Sequence, residues 1–253
     1  MGFILAAPAE TTSFHSGIQQ VSLLELYSSE GCSSCPPADA WLNQLKTAPG
    51  LWKHFAPVAF HVDYWNSLGW RDPWSAPEFT ERQWDYARAW QASEVYTPEF
   101  VLNGTEWRNW FGLRGEPTVS RAQPGELELA TTNNTIWSVR FTPTANTNDH
   151  YVIHAALLAN GLNSAVKAGE NRGRTLAHEF TALELVQIGL TTSNGVVQGK
   201  FIWNFSRYAT TNPLAVTAWM TRAGNLTPVQ AVGGWLLPAS AHPTDAQADP
   251  KIR

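Results

Sequence analysis

Glu30-Gly31-Cys32-Ser33-Ser34-Cys35-Pro36-Pro37 contains the only two cysteines in a chain of 253 residues. The apolar run Val21-Ser22-Leu23-Leu24-Glu25-Leu26-Tyr27 leads into it and reads as a buried strand. Ala38, Trp41, Leu42 and Leu45 follow at i, i+3, i+4 and i+7, one face of a helix. Pro36 and Pro37 fit only in or before its first turn, and Pro49-Gly50 ends it. The order is strand, cysteine turn, helix, which puts both cysteines at a helix N-terminus. A disulfide between them closes a very short loop. Loop-closure entropy grows with loop length, so such a bridge adds little stability and its presence points to chemistry.

Working outward, Val58-Ala59-Phe60-His61-Val62-Asp63-Tyr64-Trp65 reads as a second strand. Turn-rich segments with Trp70, Arg71 and Trp74 come next. Ser75-Ala76-Pro77-Glu78 has capping-box spacing, and Phe79, Tyr86, Ala87 and Trp90 give the helix after it an apolar side. Tyr96-Thr97-Pro98 enters Phe100-Val101-Leu102, and Asn103-Gly104 is a two-residue hairpin turn before Thr105 to Trp107. The pattern is β-α-β-α-β-β. From about residue 123, eight strand-like runs separated by turn signals predict a β-sandwich.

Several stretches carry a family likeness. They are Glu25 to Asp39 around Cys32-Ser33-Ser34-Cys35-Pro36-Pro37, His61 to Pro73, Tyr96-Thr97-Pro98, and Gly169-Glu170-Asn171-Arg172-Gly173-Arg174-Thr175-Leu176. Together they resemble a bacterial family of secreted thioredoxin-like proteins catalogued as a domain of unknown function. The fold expected is an α/β thioredoxin-like N-terminal domain over 21–122, then an all-β sandwich over 123–239. Residues 1–20 are expected to be a lead-in or leader remnant, with 10–20 lacking regular structure, and 240–253 to form a flexible tail. The resemblance also implies a cis Thr97–Pro98 bond packed against Cys32 and Cys35, with the Thr97 backbone free to pair with an extended substrate. It implies a buried acid on the first strand, here Glu25, taking the proton of the resolving thiol.

The chemistry follows from thiol–disulfide exchange, which needs an attacking thiolate and a second thiol to resolve the mixed disulfide. Cys32 comes first in the turn and is the expected nucleophile. A helix N-terminus favours its thiolate through unpaired N–H groups and partial positive charge. Cys35, one turn further in, is the expected resolving thiol. Trp65, at the end of the second strand, and Trp70 and Arg71 in the loop after it form a candidate substrate wall, near Asp63. The alternative for the Trp residues is packing between the two halves.

Net charge is −4, which gives no basis for binding nucleic acid or an anionic membrane. No run approaches the roughly 18 apolar residues of a membrane span. Ala7-Pro8-Ala9 fits the small-x-small pattern of a secretory cleavage site, and the expected location is secreted or periplasmic. Trp is frequent, at 13, and concentrated in the first half, so an aromatic-rich core or cleft is expected there. Three functional readings stand side by side. One is a thiol–disulfide oxidoreductase without cofactor, acting on protein or small-molecule thiols and disulfides with a redox partner protein. Another is a copper- or zinc-binding protein using both thiolates with His61 or His54. The third is a binding or assembly protein whose β-sandwich engages the partner. Lys167 to Arg174, with His178, reads as a solvated hairpin loop.

Overall fold

Every residue of the strand Phe55–His61 is buried. A strand without a polar face needs cover on both faces and a partner on each edge, and that need shapes the architecture. The computed structural model describes residues 11–112, 115–132, 134–145, 149–204, 208 and 212–236. In chain order the strands of the first half are β1 (Thr11–His15), β2 (Ser22–Ser28), β3 (Phe55–His61), β4 (Glu99–Leu102) and β5 (Thr105–Glu106). Those after it are β6 (Gly125–Thr132), β7 (Ile136–Pro143), β8 (Tyr151–Ala159), β9 (Leu162–Ala165) and β10 (Thr175–His178). Then come β11 (Thr181–Gly189), β12 (Thr191–Ser193), β13 (Val196–Ile202), β14 (Leu214–Arg222) and β15 (Pro228–Trp235). The α-helices among the described residues are α1 (Pro36–Gln44) and α2 (Pro77–Trp90).

One eight-stranded sheet runs β15-β14-β8-β11-β3-β2-β4-β5. β2 pairs in parallel with one edge of β3 along its whole length. β11 meets the other edge in parallel at Thr181 and Ala59, where the Ala59 N–H donates to the Phe180 carbonyl at 2.8 Å. The remaining pairs in this sheet are antiparallel. A second, antiparallel sheet runs β1-β6-β7-β13-β12, and β9 and β10 form a separate hairpin.

The expected α/β thioredoxin-like domain followed by an all-β sandwich is therefore corrected. The molecule is mostly β, and strands from both sides of residue 122 share one large mixed sheet. The physical reason lies in β8, β14 and β15, which are apolar on both faces. In β14, Val216, Ala218 and Met220 enter a core shared with Leu127, Trp137 and Phe141 of the five-stranded sheet. The alternating Ala215 and Trp219 enter the other core, with Leu23, Leu26 and Phe60. Side chains alternate across a strand, so a strand apolar on both faces lies between two layers. Short apolar runs read from sequence look like sandwich strands because that double burial is invisible without their partners.

Smaller expectations divide. The Asn103-Gly104 turn forms, with φ of 50° and 80°, the left-handed pair a two-residue hairpin requires. Thr11–His15 was expected to be irregular but pairs with β6 as β1. The Ser75 capping box is absent. Ala76 is the N-cap of α2, one residue later, and the Ser75 hydroxyl instead donates to the Asp72 carbonyl at 2.8 Å. Residues 1–10, with the cleavage-like Ala7-Pro8-Ala9, and the tail 240–253 lie outside the described residues.

Candidate active site

β2 delivers the chain into the turn Ser29 to Cys35, and α1 leaves it. The Cys32 N–H donates to the Ser29 carbonyl at 3.1 Å, and the Cys35 N–H to the Cys32 carbonyl at 3.3 Å. Cys35 is the N-cap of α1 and already has helical angles, φ −74° and ψ −38°. Pro36 and Pro37 occupy the first helical positions, where they have no N–H to leave unpaired. Ala38 and Asp39 donate to the Cys35 carbonyl at 2.9 and 3.1 Å. The helix end thus offers fewer free N–H groups than its position suggests. What remains is the axial dipole and the turn's own amides.

Cys32 and Cys35 form a disulfide with Cα atoms 5.5 Å apart. Both are fully buried, while Ser33 and Ser34 between them are exposed. The Thr97–Pro98 peptide bond is cis. The Thr97 carbonyl oxygen lies 3.7 Å from Cys32 Sγ and accepts from Ser34 Oγ at 3.4 Å. The Trp65 indole donates to Thr97 Oγ1 at 2.8 Å. Its Cβ packs so closely on Gly31 that a Cβ there would stand 2.9 Å away, so glycine is required by contact. Trp65 therefore bridges the cysteine turn and the Thr97 wall.

Trp70 also belongs to the site, its indole donating to Glu30 Oε2 at 2.8 Å. Arg71, next in sequence, is exposed. Asp63 is held elsewhere, accepting from Thr80 Oγ1 at 2.6 Å near the start of α2. The structure does not bring Glu25 to the cysteines. Its carboxylate pairs with Arg82 at 2.7 Å and accepts from Tyr86 at 2.6 Å, both on α2. Ser28, on the opposite face of β2, reaches Asp39 of α1 at 2.8 Å. The two-residue period of the strand separates these faces, and the cysteines belong with α1.

The buried acid on the α1 side is Asp39, four residues after Cys35 and so on the same helical face. Burial raises its pKa, although His178 and His61 nearby oppose the shift. Behind the turn lies a polar cluster. His61 Nδ1 is 2.7 Å from Asp72 Oδ2, and both side chains are fully buried. Asp72 also accepts the Glu30 N–H at 2.8 Å, and Glu30 Oε1 lies 3.1 Å from His178 Nε2. Burial alone would lower the His61 pKa, but Asp72, Asp39 and Glu30 outweigh it and push it up to about 9. Burial likewise opposes ionisation of Asp72, yet His61 and the N–H groups of Glu30 and Trp74 hold it below the usual carboxylate range. Glu99, next to Pro98, is pushed up to about 7 by burial, against a hydrogen bond from Gln83.

The loop between β9 and β10, expected to be solvated, closes the turn from the other side. Asn171 is fully buried, and its amide donates to the carbonyls of Glu30 at 2.9 Å and Cys32 at 2.8 Å. Glu170 accepts the Ser33 N–H at 2.9 Å. Asp39, Asn171 and Glu170 are the residues sequence reasoning passed over as site members. A polar residue on an apolar helix face was the available signal for Asp39. Among the described residues, no three His, Cys, Asp or Glu side chains are grouped so as to hold a metal. Cys32 and Cys35 are joined to each other, so the two-thiolate metal site with His61 or His54 is not assembled. No helix among the described residues is long and apolar enough to cross a membrane.

The chain belongs to the family described as "Protein of unknown function (DUF1223)", which matches residues 23–218. No curated protein matches it. Among solved structures it is similar to protein AGR_C_4864 from Agrobacterium tumefaciens, with a TM-score of 0.61 and 22% identity over 87% of this chain and 95% of that one. It is also similar to HBP35 of Porphyromonas gingivalis, with a TM-score of 0.57 and 15% identity over 94% of this chain and 81% of that one. At these identities the likeness is one of fold.

Proposed function

We propose that the protein is a thiol–disulfide oxidoreductase whose working pair is Cys32 and Cys35. The observation that carries this is a disulfide across three sequence positions, at the start of α1, with the Thr97 carbonyl 3.7 Å from Cys32 Sγ. A loop this short contributes little to stability, so the polar contacts gathered around it favour a role in exchange. The resemblance to secreted thioredoxin-like proteins enters here as chemistry, through the Cys-Ser-Ser-Cys turn and the facing Thr97-Pro98, and not as fold. A disulfide used this way suits a secreted or periplasmic location.

In the reducing direction the Cys32 thiolate attacks a sulfur of a substrate disulfide. That bond breaks, one substrate thiolate leaves, and Cys32 is joined to the other substrate sulfur. The Cys35 thiolate then attacks Cys32 Sγ and releases the second substrate thiolate. The protein pair is oxidised by two electrons, the substrate is reduced by two, and the two cysteine protons end on the substrate thiols. The oxidising direction is the reverse. Asp39, rather than Glu25, is the buried acid on the helix side and the better-placed partner for the Cys35 proton.

Insulin reduction with dithiothreitol as reductant tests the reading. Wild type should accelerate precipitation of the insulin B chain, and Cys32→Ser should fall to the uncatalysed rate. Equal rates for wild type, Cys32→Ser and buffer would count against it.

A further inference from the structure

We propose that Glu170, on the β9–β10 loop, is a positioning residue that sets the redox potential of the Cys32–Cys35 pair by occupying the Ser33 N–H. This inference rests on the oxidoreductase reading above and deepens it. A thiolate at Cys32 gains stability from N–H donors at the start of the helix. Here those donors are few. Pro36 and Pro37 carry none, the Cys35 N–H is turned to the Cys32 carbonyl, and Ala38 and Asp39 donate to the Cys35 carbonyl. Ser33 follows Cys32 directly, and its N–H is given to Glu170 Oε2 at 2.9 Å.

The contact has two effects of the same sign. It removes a donor from the turn, and it places a full negative charge against the residue that directly follows Cys32. The Ser33 hydroxyl and N–H together hold the Glu170 carboxyl below its ordinary range, so the charge is present at neutral pH. The loop cannot drift away from the turn, because the neighbouring Asn171 is anchored to the carbonyls of Glu30 and Cys32 and its own oxygen accepts from Arg174 at 2.8 Å. Gly169 packs against Trp70, where an added Cβ would stand 3.2 Å from the Trp70 Cβ. A segment more than 130 residues away in sequence thus disfavours the Cys32 thiolate. Stabilising the thiolate stabilises the reduced form, which makes a pair more oxidising. Glu170 therefore moves this pair in the reducing direction.

Glu170→Gln isolates the charge, because the amide oxygen can still accept the Ser33 N–H. Wild type, Glu170→Gln and Glu170→Asp are each equilibrated with glutathione redox buffers, alkylated, and scored by mass. The Cys32 thiol pKa is read in parallel from the pH dependence of iodoacetamide alkylation. Glu170→Gln should shift the equilibrium toward the dithiol by roughly three- to tenfold, tenfold being about 30 mV for this two-electron couple. It should also lower the Cys32 thiol pKa, while Glu170→Asp stays near wild type. Because Glu170 is exposed, the shift should shrink in ~1 M salt, where the screening length is about 3 Å. A reversible wild-type pair with an unchanged or more reducing Glu170→Gln overturns the inference and leaves the oxidoreductase reading standing. A wild-type pair that does not equilibrate with glutathione overturns both.

Discussion

His61 shows how one residue in an apolar strand can be held by chemistry rather than packing. The folded chain binds its proton more tightly than the unfolded chain, since its pKa rises from 6.5 to about 9. A group with a raised folded-state pKa stabilises the fold fully below its unfolded value and loses that contribution as pH climbs through the folded one. Stability from this pair should therefore be complete below pH 6.5 and decline toward pH 9. Asp72, with its lowered pKa, gives the opposite edge. Its contribution holds above its ordinary value of 3.8 and fades as pH falls below that. Asp72→Asn leaves a buried His61 without its counter-charge, and removing one partner of a buried pair costs roughly 3–5 kcal/mol. Urea unfolding should show that deficit at pH 6 and a smaller one at pH 9.5. A deficit independent of pH would mean that Asp72 acts only through its hydrogen bonds to the Glu30 and Trp74 backbone. His61 itself stood out in the sequence, in the middle of Val58 to Val62. Its partner did not, because Asp72 lies across a loop of turn residues with no periodicity to follow.

At the scale of elements, the turn and its flanking strand and helix were legible because each signal is local. An apolar run, two cysteines, two prolines and a helical stripe fix β2 and α1 almost residue by residue. Assigning Glu25 to the cysteines failed for a reason that is also local once the register is known. Glu25 and Ser28 differ by three, so they point to opposite faces of β2, toward α2 and α1 respectively. What the sequence could not carry is which helix covers which face. That depends on Arg82 and Tyr86 of α2 meeting Glu25 across 57 and 61 positions. The two prolines illustrate a subtler limit. They mark the helix start correctly, yet they also strip it of the N–H groups that make a helix start attractive to a thiolate.

On the scale of the whole molecule, the change of pattern near residue 123 was visible but its meaning was not. Fully buried β3 needs a strand on each edge, and the second of these is β11, which arrives more than 100 residues later. Pairing between strands so far apart leaves no trace in either run. The same long-range closure explains why Asn171 and Glu170 were read as a solvated loop. Their partners, Glu30, Cys32 and Ser33, lie more than 130 residues earlier in the chain. One consequence is that the two halves should not be separable. Residues 21–122 produced alone expose the β11 edge of β3 and the face of Phe60 that meets Trp219. That fragment should aggregate or stay unfolded by circular dichroism, and it should gain structure only when 123–236 is added. A monomeric, cooperatively unfolding 21–122 fragment would mean that the shared sheet is dispensable to its fold.

Whether Cys32 is the nucleophile of a redox pair, as proposed, can be read by trapping its mixed disulfide. Cys35→Ser leaves Cys32 without its resolving partner. Incubated with glutathione disulfide under native conditions, this variant should acquire one glutathione, mapped to Cys32 by mass spectrometry, while Cys32→Ser under the same conditions stays largely unmodified. Both sulfurs are buried in the disulfide form, so capture also requires Cys32 to become accessible within the folded protein. Ready capture at Cys35 in Cys32→Ser with little at Cys32 in Cys35→Ser, or no capture in either variant until the protein is unfolded in urea, would rule out Cys32 as the nucleophile.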